Sequence, residues 1–301
     1  MISMKSKKLT KYDIKNIKRG LFFISPWLIG FMVFTIYPFI ASLIYSFSVY
    51  NGVTASKFVG LKNYIQLFQD PKFYTALYNT FYYAIIAVPL GIVLGVLVAL
   101  LLNQPIKFLS FFRTAIYIPV IVPTVAVSIL WIWLLNPDVG LINWLLSLFG
   151  IKGPGWLADP KWSKMALILM AQWGIGQSVL IYLSGLKDVP KDLYESADID
   201  GANGFTKFFH ITLPMITPVI LYNLIMGVIG SLQYFTQAYV MTNGGPMNST
   251  LFYALYLFQN AFQFFSFGYA SAMAWILFII IAIIVYILLK TSARWVFYGG
   301  Q

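Results

Sequence analysis

Six long apolar runs, separated by short stretches that hold nearly all of the charge, are the feature of this chain that leaves the fewest folds open. They lie at about 21–46, 80–102, 114–135, 163–186, 215–241 and 268–289. A helix rising 1.5 Å per residue needs about 20 apolar residues to cross about 30 Å of hydrocarbon, so each run is long enough to span a bilayer. Hydrophobic residues make up 60% of the chain and charged ones 10%, against roughly 45–50% and about 25% in soluble domains. The expected fold is an all-α integral membrane protein with six transmembrane helices. Residues 1–20 read as a basic tail, 21–290 as the spanning domain and 291–301 as a second tail.

The charges between the runs orient the chain. The N-terminal tail carries Lys5, Lys7, Lys8, Lys11, Lys15, Lys18 and Arg19. Counted on alternate sides, the side with both termini, the 103–113 loop and the 187–214 loop holds 14 Lys and Arg, and the other side holds six. Basic residues accumulate on the cytoplasmic side, so both termini and the 187–214 loop are expected there. The first apolar run is too long for a cleaved signal peptide and reads as a retained span. The net charge of +11 therefore reports topology rather than nucleic-acid binding. The chain has no cysteine and one histidine, which excludes disulfides and argues against a metal site.

The runs also limit the chemistry. Their interiors hold no Asp, Glu, Lys, Arg or His, the groups that ion-coupled transporters usually keep at membrane depth, although a sodium site of carbonyls and hydroxyls stays open. No nucleophile stands near a base, and no paired carboxylates suggest catalysis. No G-x-x-x-x-G-K-[ST] phosphate loop is present, so hydrolysis of ATP by this chain itself is not expected. Pro119 and Pro123 should break one end of the third span, where the freed backbone must face protein rather than lipid. Leu141–Phe149 is too short to cross and should lie flat or against the bundle, with Trp131, Trp133 and Trp144 as interfacial anchors.

The 187–214 loop stands apart. Asp188, Asp192, Glu195, Asp198 and Asp200 are five of the nine acidic residues of the chain. Pro190 suits the first position of a short helix, which would place Leu193 and Ala197 on one face with Glu195 turned away. Asp200-Gly201 should end it, and Phe205, Phe208 and Phe209 should form an apolar stripe on a second helix. The expected object is a helix-turn-helix finger, returned to the fifth span by Leu213-Pro214.

This finger resembles the E-A-A…G…I-x-L-P loop of permease subunits of bacterial ATP-binding cassette importers. The matching residues are Glu195, Ser196, Ala197, Gly201, Ile211, Leu213 and Pro214, with Ser196 in place of the usual alanine. Leu193-Tyr194-Glu195, Thr242-Asn243-Gly244-Gly245-Pro246 and Phe267-Gly268-Tyr269-Ala270-Ser271-Ala272 extend the likeness to the carbohydrate branch of these permeases. The resemblance implies a type I importer fold in the bacterial cell membrane. It implies two cytoplasmic ATPase subunits that use ATP and Mg, a second homologous permease forming a heterodimer, and an external sugar-binding protein, with no cofactor on this chain. Glu195 would contact the ATPase, Ala197 would permit close approach, Gly201 would form the turn, and Leu213-Pro214 would anchor the finger.

Sugars are held by amides, hydroxyls and aromatic faces. Gln172, Trp173 and Gln177 in the fourth span, and Ser231, Gln233, Tyr234 and Gln237 in the fifth, offer such groups at similar depth, with Gln233 and Gln237 one turn apart. Polar groups of this kind also join helices to one another in membranes. The resemblance favours a pathway, because substrate contacts in that family lie in these two helices. A secondary transporter or channel, and an importer subunit for a non-sugar solute, remain as alternatives.

Overall fold

The computed structural model describes residues 11–297, so the first half of the basic tail and the last four residues lie outside it. Four helical stretches are long and apolar enough to cross a membrane unbroken, and the count reaches six if each of two bent helix pairs is one span. With each bent pair taken as one span the count matches the expected six, while several boundaries and two of the helices differ.

The first span begins early, as α1 (Lys11–Phe31), and runs through a π-helical turn at Met32–Ile36 into α2 (Tyr37–Ser46). Pro38, in the first turn of α2, has no N–H for the carbonyl four residues back, and Tyr37 instead donates to Met32. A wider turn absorbs the missing bond in place of a sharp kink. A hairpin of β1 (Ser48–Val49) and β2 (Lys57–Phe58) and the short α3 (Lys62–Gln69) follow. Asn63 of α3 is buried and donates to the carbonyls of Ser46 and Ser48, both at 2.9 Å, which caps the end of the first span.

The second span, α4 (Pro71–Leu102), starts nine residues before the expected Thr80. The Asp70 carboxylate accepts from the Lys72 N–H at 2.9 Å and Pro71 occupies the first turn, an N-terminal cap that hydropathy alone does not register. Its 32 residues reach about 48 Å, longer than the hydrocarbon is thick, so it tilts or projects.

The third span is not one helix. α5 (Leu109–Ile121) and α6 (Thr124–Leu134) meet at 101°, because Pro123 offers no N–H and forces Val122 into an extended conformation, ψ 131°. α7 (Leu141–Leu148) is the short apolar helix of the following loop. The fourth span is α8 (Pro160–Trp173) and α9 (Gly176–Lys187), bent by 48°. The finger itself holds α10 (Lys191–Ile199), α11 (Gly204–Lys207), a π-helical turn Phe208–Thr212 and α12 (Leu213–Met215). The fifth span is α13 (Thr217–Leu232) and α14 (Thr236–Met241), interrupted at 233–235. α15 (Tyr253–Phe258) and a further π turn lead to the sixth span, α16 (Phe267–Ser292).

Two apolar clusters hold the bundle. One joins α4, α8, α14, α15 and α16 around Phe252, Tyr253 and Leu255, each fully buried. The other joins the far half of α4 to α9 and to the exit of the finger, through Ala99, Tyr182, Leu186, Val189 and Ile216.

Candidate functional site

The finger is built largely from local bonds. α10 starts at Lys191 with Pro190 just outside it and ends in a Schellman turn. Gly201 N–H donates to Asp198 at 3.1 Å and Ala202 N–H to Ala197 at 2.9 Å, with Gly201 at φ +75°. A Cβ there would meet no atom within 4 Å, so the glycine answers a backbone demand and not a spatial one. Asn203 caps α11 by accepting from Thr206 N–H at 2.9 Å, and Lys207 pairs with Asp198 across the turn. His210 bonds the Thr206 carbonyl through Nδ1 at 3.1 Å.

The expected inward face needs correction. Leu193 is 41% exposed, and Tyr194 turns inward beside Ala197. The Tyr194 hydroxyl lies 2.8 Å from Thr212 Oγ1 and its ring sits on the apolar cluster around Tyr182. A phenol can bury its ring and still satisfy its oxygen, which leucine at the neighbouring position cannot improve on. The Phe stripe also divides. Phe208 packs against the same cluster, while Phe205 and Phe209 stay exposed with their rings 4.6 Å apart. Glu195 is exposed and makes no bond among the described residues. Ser196 returns its hydroxyl to the Asp192 carbonyl at 2.9 Å. Ile211, Leu213 and Pro214 are half-buried at the root, and Thr217 Oγ1 donates to Pro214 at 2.6 Å.

At the other end of α9, three interruptions of the spans converge. Val122, Gly174 and Tyr234, one from each broken span, line a cavity of ≈ 190 Å³ together with Trp173 and Gln237. Gly174 and Tyr234 also line a cavity of ≈ 350 Å³ with Gln172, Ser178, Tyr182, Asn223 and Ser231. Irregular backbone at membrane depth is tolerated where it lines a cavity, so the breaks and the cavities explain each other.

Four of the seven expected pathway residues, Gln172, Ser231, Tyr234 and Gln237, line the larger cavity, and Trp173 lines the smaller. Gln177 and Gln233 line neither and are exposed. Gln233 and Gln237 are not stacked on one helix, because the chain leaves the helix between them at 233–235. Trp131 is not an interfacial anchor. It is buried, edge-on to Trp173 with centroids 5.5 Å apart. Trp133 and Trp144 stay exposed and line a groove of ≈ 590 Å³ in the 136–155 loop.

The cavity wall is polar but uncharged. Gln172 is fixed by its amide nitrogen, which donates to Ile168 O at 3.1 Å and Ala87 O at 3.4 Å. Among the described residues, five buried side-chain polar atoms lack a hydrogen-bonding partner, and three belong to this cavity: Gln172 Oε1, Tyr182 Oη and Tyr234 Oη. An unsatisfied buried polar atom costs about 1–3 kcal/mol, so such a cluster favours any event that supplies partners. Tyr83, Tyr182 and Asn223 were not singled out from sequence. The G-x-x-x-G spacing of Gly91 and Gly95 was a usable signal, since a Cβ on Gly91 would lie 3.3 Å from Gln172 Oε1 and one on Gly95 2.9 Å from Tyr182 Cε2.

Residues 87–298 match the family described as binding-protein-dependent transport system inner membrane component. The chain belongs to this family. It is the membrane-spanning permease component of an ABC transporter, a transport subunit rather than an enzyme. Similar family members include the probable ABC transporter permease protein YesP of Bacillus subtilis, 43% identical, with 95% of this chain and 94% of that protein covered. The lactose transport system permease protein LacF of Rhizobium radiobacter is 36% identical, with coverage of 91% and 92%. Among solved structures, a bacterial ABC transporter involved in the import of the acidic polysaccharide alginate matches at TM-score 0.82 and 25% identity, over 93% of this chain and 98% of that one.

Proposed function

We propose that this permease forms half of the pathway by which a sugar or oligosaccharide enters a bacterial cell, delivered by an external binding protein and driven by ATP hydrolysed elsewhere. The observation that carries the cargo class is the larger cavity, at the breaks of the fourth and fifth spans. Its wall holds amides, phenols and two serines and no charged side chain, so recognition there is by hydrogen bonds and ring faces, the chemistry of saccharides. The names of relatives that carry lactose and arabinooligosaccharides point the same way.

The other half of the pathway is a second, homologous permease. Two ATPase subunits, which hold the ATP and Mg, receive the finger on the cytoplasmic side, where the excess of Lys and Arg also places both termini. Glu195, exposed and without a partner, supplies the charged contact. Ser196 and Ala197 allow close approach, Gly201 sets the turn, and Ile211, Leu213 and Pro214 fix the root. Pathway contacts fall to Gln172, Trp173, Ser231, Tyr234 and Gln237. Gln177 and Gln233, exposed in the single chain, are assigned to the face toward the second permease.

Purification of the chain from native membranes in mild detergent tests the reading. A second permease and an ATPase should accompany it, with hydrolysis stimulated by a sugar-loaded binding protein. A chain that comes alone and moves solute on an ion gradient overturns it.

A further inference from the structure

We propose that Tyr182 is a positioning residue through which the cavity and the finger sense each other. The inference rests on the reading of the cavity as cargo pathway and of the finger as ATPase joint, and adds a residue that joins them.

Ile92, Ile175 and Tyr182 belong to both regions, and of these Tyr182 is the one polar side chain. It lines the cavity with Gln172, Ser178 and Tyr234, and it sits in the apolar cluster of Leu183, Leu186, Val189 and Ile216, on which Tyr194, Phe208 and Ile211 of the finger pack. It is fully buried, yet its hydroxyl has no partner. A phenylalanine would fill the same space without that cost, so the hydroxyl is out of place in this conformation alone. The ring lies close over Gly95, where a Cβ would come within 2.9 Å of Cε2; its position is therefore tied to how α9 sits on α4.

Two arrangements follow. In the one described here Tyr182 is buried and its Oη is unsatisfied. When a cargo hydroxyl enters, Oη gains a partner, and this requires α9 to shift against α4. Tyr182 stands five residues before the end of α9 at Lys187, about 7.5 Å along the helix axis, and the helix leads directly into the finger. A shift of α9 at the cavity is then a shift of the finger root. Cargo biases the pair of states because it bonds Oη in only one of them.

The test uses the complete importer in lipid nanodiscs with its binding protein. Lactose, maltose and an arabino-oligosaccharide are screened on the unaltered importer, and the sugar that stimulates ATP hydrolysis becomes the probe. Hydrolysis and hydrogen exchange of finger amides 191–213 are then compared for the unaltered protein, Tyr182→Phe and Glu195→Ala. The expected Tyr182→Phe importer assembles, needs about tenfold more loaded binding protein for half-maximal stimulation, the scale of one lost hydrogen bond, and shows no exchange response in the finger. If Glu195→Ala uncouples hydrolysis while Tyr182→Phe responds like the unaltered protein, the finger reading stands and the inference falls. If both respond normally, both fall. Should Tyr182→Phe assemble poorly, Gly95→Ala takes its place: its methyl must displace the ring, so finger exchange should change without cargo, and unchanged exchange overturns the inference.

Discussion

The finger and the cavity are built on opposite principles, although less than one helix separates them. In the finger, nearly every bond joins residues within ten positions of each other: the Schellman turn at Gly201, the Asn203 cap and the Lys207–Asp198 pair. None of the buried side-chain polar atoms without a partner lies there, and apolar groups such as Ile199 and Phe205 face outward. In the cavity, α4, α8, α9, α13 and the 233–235 break each contribute side chains, apolar groups are buried, and three oxygens go without partners. On the proposed function, the surface assigned to a partner keeps its shape from within, while the site assigned to the cargo is left with something to gain by changing.

The sharpest break of this comparison is at the finger tip. Glu195→Lys should lower uptake roughly 100-fold with insertion in the membrane intact, the scale for truncating or opposing one charge of an interfacial pair; uptake by membrane vesicles measures it, and normal uptake removes the coupling role. Next in size, Gly201→Val should cost about tenfold through the left-handed backbone that a branched residue resists, whereas Gly201→Asn should stay within about twofold. Equal losses would mean that the space around Gly201, open in the single chain, is filled by the ATPase.

The cavity gives a finer test. Gln237→Ala should raise the half-saturating sugar concentration about fivefold and Gln233→Ala less than about twofold, since only the first faces the cavity. Comparable effects from both would show that the second permease brings Gln233 into the same pathway.

The smallest effect is on stability. Tyr256 and Tyr269 both donate to Asp70 Oδ2, the latter at 2.8 Å, which ties α15 and α16 to the start of α4. Burial first, and then the bond to Asp70, push the Tyr256 phenol from 10.0 up to about 12. A raised phenol contributes stability that is complete below its unfolded value and is lost as pH climbs through the folded one. Tyr256→Phe should therefore destabilise by about 1 kcal/mol, equally at pH 6 and pH 9, with the difference shrinking only above pH 10. A difference that changes between pH 6 and 9 in thermal unfolding would show that another group controls this contact.

What could be read from the chain alone follows the same division. Long apolar runs specify spans because lipid leaves the backbone no other partners, and Gly201 and Pro190 announce the finger because turns and helix starts are decided by neighbouring residues. Pro123 announced a break in the third span, though not its 101° angle. The interruption at Gln233–Phe235 carries no glycine or proline, and it moved Gln233 off the wall and Gln237 onto it. Tyr182 reads as one more aromatic in an apolar run. Its place beside Gly95, Gln172 and Tyr234 exists only once α4, α9 and α13 are packed, because a cavity is a property of the space between helices and no single helix encodes it.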